Sequence, residues 1–255
     1  MIDIASFDFA AIAPFILVGF AAQLIDGALG MAFGVITSTL LVGVLGVPPA
    51  QASARVNMVA LFTSAVSGLS HLFHRNVDSR MFIRLVVPGI IGGICGATLV
   101  SNLSSTIVKP LVLAYMVAIG LWLLWRGLDH QPHIKDPKIV TPLGLLGGFL
   151  TGAGGGGWGP VVTSNLLIQG AEPRKVIGTV NSAEFFLTAS ISVTFILHLG
   201  VAQFGVAVIG LLIGGVAAAP LGGWLAKRVP AKTLLLLVGT VLTITSSYGI
   251  YRAII

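Results

Sequence analysis

Apolar residues in this chain run in long, nearly unbroken stretches. They do not alternate as in a half-buried strand, nor recur as the one-sided stripe of a helix lying on a soluble core. Eight stretches stand out, at about 10–46, 49–73, 82–101, 105–125, 140–170, 173–198, 203–225 and 231–254. Most are near the length that carries one helix across a bilayer. The first and fifth are too long for a single crossing. At 1.5 Å per residue, thirty-odd residues make a helix of roughly 45–55 Å, against a hydrocarbon core of about 30 Å. The predicted class is therefore all-α, a polytopic integral membrane protein.

Both long segments are interrupted by glycine near their centres. In the second, Thr151-Gly-Ala-Gly-Gly-Gly-Gly-Trp-Gly-Pro160 lies inside the apolar run from Ile139 to Ile168. Each Gly costs roughly 1 kcal/mol relative to Ala in a helix interior, so four in a row followed by Gly159 and Pro160 predict a broken helix. Non-helical backbone survives at membrane depth where protein or a polar cavity satisfies its N–H and C=O groups. A break of this kind brings bare backbone against a ligand, and the helix that restarts after it offers free N–H groups to an anion. The competing explanation is close helix–helix packing through small residues.

The two long segments head two similar halves, divided by a polar stretch at 129–138 that holds Asp129, His130, Pro132, His133, Lys135, Asp136, Pro137 and Lys138. The organisation expected is a first membrane half over 1–128, this linker, and a second membrane half over 139–255. Gly27-Ala-Leu-Gly30-Met-Ala-Phe-Gly34 aligns with Gly152-Ala-Gly-Gly155-Gly-Gly-Trp-Gly159. Beyond a one-residue gap, Gly46 matches Gly170, Pro49 matches Pro173, Asn57 matches Asn181, His74 matches His198, and Gly92-Gly93 matches Gly214-Gly215. Internal repeats in a membrane protein point to a transporter whose site lies near the midplane, between the repeats.

Each long segment can be one kinked span, which gives parallel repeats, or a hairpin folded back at its glycines, which gives inverted ones. Positive charge separates the two. Folding both segments back collects Arg75, Arg80, Arg84, Arg126, Lys135, Lys138, Arg174, Lys175, Lys227, Arg228 and Lys232 on one side, leaving Arg55, Lys109 and Arg252 opposite. Kinked spans divide the same residues evenly. Cytoplasmic loops carry an excess of Lys and Arg, so the hairpins and an inverted repeat are expected, with both termini facing outward.

Composition narrows the function. Of 255 residues, 56% are hydrophobic and 9% charged, against roughly 25% charged in soluble domains. The start of the chain lacks the basic region of a cleaved signal peptide, so the first segment is expected to be retained. The formal charge of +6 sits in short loops, where it sets orientation, and is not a nucleic-acid footprint. The single cysteine, Cys95, excludes an intrachain disulfide and reads as packing. No nucleophile elbow, phosphate-binding loop or metalloprotease motif occurs, so an enzyme is not expected and no cofactor is implied.

Ionisable residues inside membrane segments are costly and mark function by default. Asp26 lies at the first break, where Thr151 is its repeat mate; it can cap the helix that follows, carry a coupling proton, or pair with Arg55. Glu184 lies three residues after Asn181, able to pair with Arg55 or to carry a proton. Arg55 has a planar fork suited to an oxyanion, and otherwise reads as an interfacial anchor. Asn57, Asn181 and Gln23 supply amides, and Trp158 can wall a cavity beside Gly154, Gly155, Gly156 and Gly157. His71 and His74 share a helix face at i, i+3 and form the weak nucleus of a metal-site reading, which would also use Asp26. Trp122, Trp125, Trp224, Tyr248 and Tyr251 fall near segment ends as an aromatic belt.

Two halves of four apolar segments, each headed by a Gly-rich segment and followed by a G-x-x-P…N element, resemble the sulfite exporter TauE/SafE family, also called the 4-toluene sulfonate uptake permease family. The resemblance spans about residues 12–252. It implies a multi-pass transporter of the cell's inner or plasma membrane that acts on sulfite, sulfoacetate or other sulfur-containing anions. It points to Asp26–Gly34, Thr151–Gly159, Asn57 and Asn181. The function expected is export of a sulfur oxyanion by alternating access, with an anion channel or a divalent-metal transporter as the alternatives. The expected partners are a small anion and membrane lipid, with a homodimer among the compatible assemblies. The first half departs in having Leu29, Met31 and Ala32 where the second has glycine, so the two halves need not meet the substrate alike.

Overall fold

The computed structural model describes residues 9–29, 31–128, 137–228 and 231–254. Gly30 of the first break and most of the polar linker, Lys135 included, lie outside these residues. No strand occurs among the described residues. Helix α1 covers Phe9–Leu29 and α2 Phe33–Thr39, which continues as a π-helical turn over Leu40–Val44. Then come α3 (Pro49–Phe73), α4 (Ser79–Asn102), α5 (Ser105–Leu128) and α6 (Thr141–Gly154). A π-helical turn over Trp158–Thr163 runs into α7 (Ser164–Ile168), followed by α8 (Pro173–Leu199), α9 (Gly205–Arg228) and α10 (Ala231–Ile254). Among the described residues, four helices are long and apolar enough to cross a membrane: Pro49–Phe73, Ser79–Asn102, Ser105–Arg126 and Pro173–Leu199. Shorter apolar helices lie at Ala11–Asp26, Phe33–Val44, Gly205–Ala219 and Leu236–Tyr251. The described residues form helices and short connections, as a membrane protein requires.

Local chemistry sets the helix ends. Pro49 and Pro173 occupy the first turns of α3 and α8, where a missing N–H is harmless. The Asp78 carboxylate accepts from Met81 N (2.8 Å) and caps α4. The repeat-matched glycines Gly46 and Gly170 both adopt positive φ, at 68° and 91°. That conformation suits glycine and explains the match.

The second long segment is a hairpin. Gln169 Oε1 accepts from Lys138 N (2.9 Å) and Ile139 N (2.8 Å), and its Nε2 donates to Ile139 O (3.0 Å). The two ends of the segment therefore touch, where one kinked span would hold them roughly 45 Å apart. At the same end of the molecule Arg84 Nη2 donates to Lys138 O (3.1 Å). There too Arg174 Nη2 donates to His74 O (3.2 Å) and Lys175 Nζ to Arg75 O (3.0 Å). Five of the eleven cations that the hairpin reading gathers on one side, Arg75, Arg84, Lys138, Arg174 and Lys175, thus lie at this end. We expect Gln169→Ala to lower the thermal midpoint by several degrees, since each neutral hydrogen bond contributes about 0.5–1.5 kcal/mol. Differential scanning fluorimetry in detergent measures it, and an unchanged midpoint would mean the clasp is dispensable.

Two glycine seams hold the halves together. On α4 and α6, a Cβ built on Gly92 meets Leu145 O, one on Gly96 meets Phe149 O, and one on Gly148 meets Gly89 O. Residue numbers rise together along both helices, so α4 and α6 run parallel in backbone contact. The α1–α9 seam repeats this arrangement, with Gly19 against Leu211 and Gly214 against Ile16 O. Without water to drive apolar burial, this closeness is how helices gain dispersion energy in lipid. By contrast α3 runs antiparallel to α8, as Gly68 lies on Ser182 while Asn76 lies on Gly178. Helix α5 runs antiparallel to α10, as Gly249 lies on Leu113 while Gly120 lies on Thr243. Cys95 is exposed on α4.

Candidate functional site

The two breaks meet. Gly34 packs on the carbonyl of Gly155, Val35 on Gly156, and Met31 on Gly159. Helix α6 ends where Gly155 takes up left-handed φ 78°, ψ 1°, its N–H donating to Thr151 O (2.8 Å). A side chain there would strike Ser38 Oγ. Gly155 thus combines an αL terminator with a close backbone approach, both open only to glycine. Gly152 is instead a seam glycine, its built Cβ meeting Gly93 O. Gly154 packs against the Tyr115 ring and hydroxyl. The one run thus breaks the helix at Gly155 and packs helices together at Gly152.

The restarted helices are capped in the same way by different residues. Asp26 Oδ1 accepts from Ala32 N (2.7 Å) and Phe33 N (2.9 Å). In the other half Thr151 Oγ1 accepts from Gly157 N (3.2 Å) while donating to Gly147 O (2.7 Å). Asp26 and Thr151 are repeat mates, as are Ala32 and Gly157. Capping therefore accounts for the position of Asp26, whether or not it also carries charge for transport.

Around the meeting point lies a cavity of about 220 Å³. Gln23 and Asp26 border it from α1, and Met31, Phe33, Gly34 and Val35 from the first break and α2. Helix α3 contributes Val56, Asn57, Ala60, Thr63, Ser64 and Ser67. Thr151, Gly155, Gly156, Gly157, Trp158, Gly159, Pro160 and Thr163 come from the second break, and Ile177, Val180, Asn181 and Glu184 from α8. Of the residues singled out from sequence, Gln23, Asp26, Asn57, Gly155, Gly156, Gly157, Trp158, Asn181 and Glu184 are thus brought together. Gly154 is buried but does not line the space.

Arg55 is not among the lining residues either. Its guanidinium lies 5.6 Å from the centroid of the Phe15 ring, and Nη2 donates to Gln51 Oε1 (3.4 Å). His71 and His74 stand at the end of α3, away from the cavity. Asn76 Nδ2 donates to His71 Nδ1 (3.2 Å), and His74 Nδ1 donates to Ser70 O (2.7 Å). Among the described residues, no group of three or more His, Cys, Asp or Glu side chains could hold a metal ion.

The amides face differently from a simple donor set. Asn57 is fully buried, and its Nδ2 donates to Ser53 O (2.9 Å) and Thr151 O (3.1 Å). Two carbonyl acceptors fix that orientation, leaving Asn57 Oδ1 as a buried acceptor without a partner. Asn181 Nδ2 donates to Ile177 O (3.0 Å). Ser53 Oγ donates to Gly152 O (2.7 Å), tying α3 to the end of α6. Sequence reasoning missed Ser53; its signal is the i, i+4 spacing to Asn57, which puts both on one helix face. Trp158, 2% exposed, donates through Nε1 to Val180 O (3.1 Å), so it walls the cavity and also braces the second break on α8.

Residues 15–249 match the family described as "Sulfite exporter TauE/SafE". The chain is 40% identical over 234 residues to a protein of Bacillus subtilis (strain 168) named "Probable membrane transporter protein YtnM", covering 88% of this chain and 78% of that protein. No solved structure matches significantly.

Proposed function

The chain belongs to the sulfite exporter TauE/SafE family and is a multi-pass membrane transporter, and on that premise we propose that it carries a sulfur oxyanion out of the cell. The substrate class is sulfite or a small organosulfonate such as sulfoacetate, and the membrane is the inner or plasma membrane. The observation that carries this reading is the meeting of the two Gly-rich breaks on one cavity. Two helices, Phe33–Val44 and 158–168, begin at its wall, and helix N-termini favour negative charge. In this reading Asn181, Gln23, Trp158 and the backbone of Gly155, Gly156 and Gly157 surround the anion. Asn57 shapes the wall, and Arg55 acts from outside it.

Transport proceeds by alternating access between two halves, 1–128 and 139–255, related as an inverted repeat. Support comes from helix direction, since the matched helices α3 and α8, and likewise α5 and α10, are antiparallel. Such pairs are what a two-fold axis in the membrane plane generates.

Thermal stabilisation of the purified protein tests the substrate class. A ligand that binds only the folded state adds RT ln(1 + [L]/Kd), about 2.7 kcal/mol at a hundredfold excess over Kd. Sulfite or sulfoacetate is expected to raise the midpoint, and Asn181→Ala to remove the effect. Stabilisation by divalent metals alone would favour the metal-transporter alternative. Labelled-anion counterflow in vesicles separates a carrier from a channel.

A further inference from the structure

The charge on the cavity wall conflicts with an anionic cargo unless something else enters with it. Among the described residues the lining holds two carboxyl groups, Asp26 and Glu184, and no lysine, arginine or histidine. The buried amide oxygen of Asn57 adds an unpaired acceptor, because both carbonyls beside it take its N–H groups. Asp26 is held at one oxygen by two backbone N–H groups. The Glu184 carboxyl has no hydrogen-bond partner among the described residues. Of the elements packed against α8, α3 carries Arg55 and His71, and α4 carries Arg80, Arg84 and Cys95, but none of these lines the cavity. The break before α7 and α7 itself bring no ionisable residue. Among the described residues Glu184 therefore faces one ionisable group across the space, the carboxyl of Asp26.

We propose that Glu184 is the proton-binding residue of this transporter, and that a proton on it accompanies each anion through the cycle. The proposal rests on the anion reading above. Like charges in a low-dielectric cavity repel, so anion and proton each make binding of the other easier. Binding of this sign makes a symporter rather than an exchanger. The proton bonds to a Glu184 carboxylate oxygen from the loading side and returns to water on the releasing side, with no other bond made or broken. The net direction then follows the combined anion and proton gradients, so export requires the outward anion gradient and the membrane potential acting on the anion to outweigh an inward pH gradient.

The test uses purified full-length protein in vesicles, with membrane voltage clamped and labelled sulfoacetate as the probe. Wild-type protein is expected to accumulate the label under a pH gradient alone, about tenfold per pH unit for each proton carried. A pH-sensitive dye inside the vesicles is expected to report protons arriving with the anion. Glu184→Gln lowers the number of protons carried per anion, whatever it does to the exchange rate, and Glu184→Asp restores it. Counterflow without pH-driven accumulation in wild type overturns this inference and leaves the anion reading standing. An unchanged proton-to-anion ratio in Glu184→Gln also overturns it. Absence of any counterflow in wild type removes the anion reading and this inference together. Should Glu184→Gln fail to fold, the wild-type accumulation and the Glu184→Asp ratio decide.

Discussion

Replacing Gly152 with leucine is expected to remove folded protein from the membrane fraction. A Cβ at this position meets Gly93 O directly and lies 2.9 Å from Ala97 N. Both are backbone atoms of α4, which cannot rotate out of the way as a side chain would. Overpacking a tight core costs about 1–3 kcal/mol and sometimes more. Here the remainder of the leucine must fit as well, so α4 and α6 have to separate along the whole seam. The control is Gly215→Ala, where the nearest atoms are those of the Gln23 side chain at 3.9 Å. That substitution is expected to be neutral or to stabilise by about 0.5–1 kcal/mol, since alanine is the better helix former. Size-exclusion chromatography and thermal midpoints of the two variants give the comparison. A monodisperse Gly152→Leu protein with the wild-type midpoint would show that the seam is not packed this way.

Gly155→Ala is expected to fold but to lose ligand-induced stabilisation and most transport. Left-handed backbone costs a residue bearing a Cβ roughly 1–2 kcal/mol. A contact with Ser38 Oγ adds to it. A penalty of this size changes a conformational ratio by a factor of about 5–30. It falls on the residue that ends α6 at the cavity wall. Combining Gly155→Ala with Ser38→Gly removes the closest contact and leaves the backbone part and the 3.3 Å approaches to Ser53 Cα and Val56 Cβ, so recovery is expected to be partial. Full recovery would mean that φ at this position carries no cost, and no recovery would mean that Ser38 is not the obstacle.

The sequence exposed the breaks because glycine acts locally. Four in succession cannot stay helical, and Gly155 stops α6 within the run. It exposed much of the cavity because polar residues are rare in so apolar a chain. Asn181 and Glu184 share a face of α8 at i, i+3, with Ile177 one turn before. Helical phase also explains why Arg55 does not line the cavity. Two residues turn an α-helix by about 200°, so with Asn57 facing the cavity, Arg55 faces away. That deduction was open to sequence reasoning once Asn57 was assigned to the site. The seams were less accessible, because a glycine does not announce which distant backbone it will meet. Neither did the sequence reveal that the Asn57 N–H groups are taken by Thr151 O and Ser53 O, two acceptors whose positions depend on the finished fold.

The paired caps carry a consequence for the cycle itself. Asp26 and Thr151 hold equivalent backbone at equivalent places, so the break demands an acceptor there and is indifferent to its charge. The near-symmetry of the backbone is therefore not shared by its electric field. One restarted helix has a carboxyl against its N-terminus and the other only a hydroxyl. When the halves exchange roles in the proposed cycle, geometry is traded while charge stays behind. In that cycle the inward-open and outward-open states would be unequal in energy even without a gradient, which would give the carrier a built-in resting orientation.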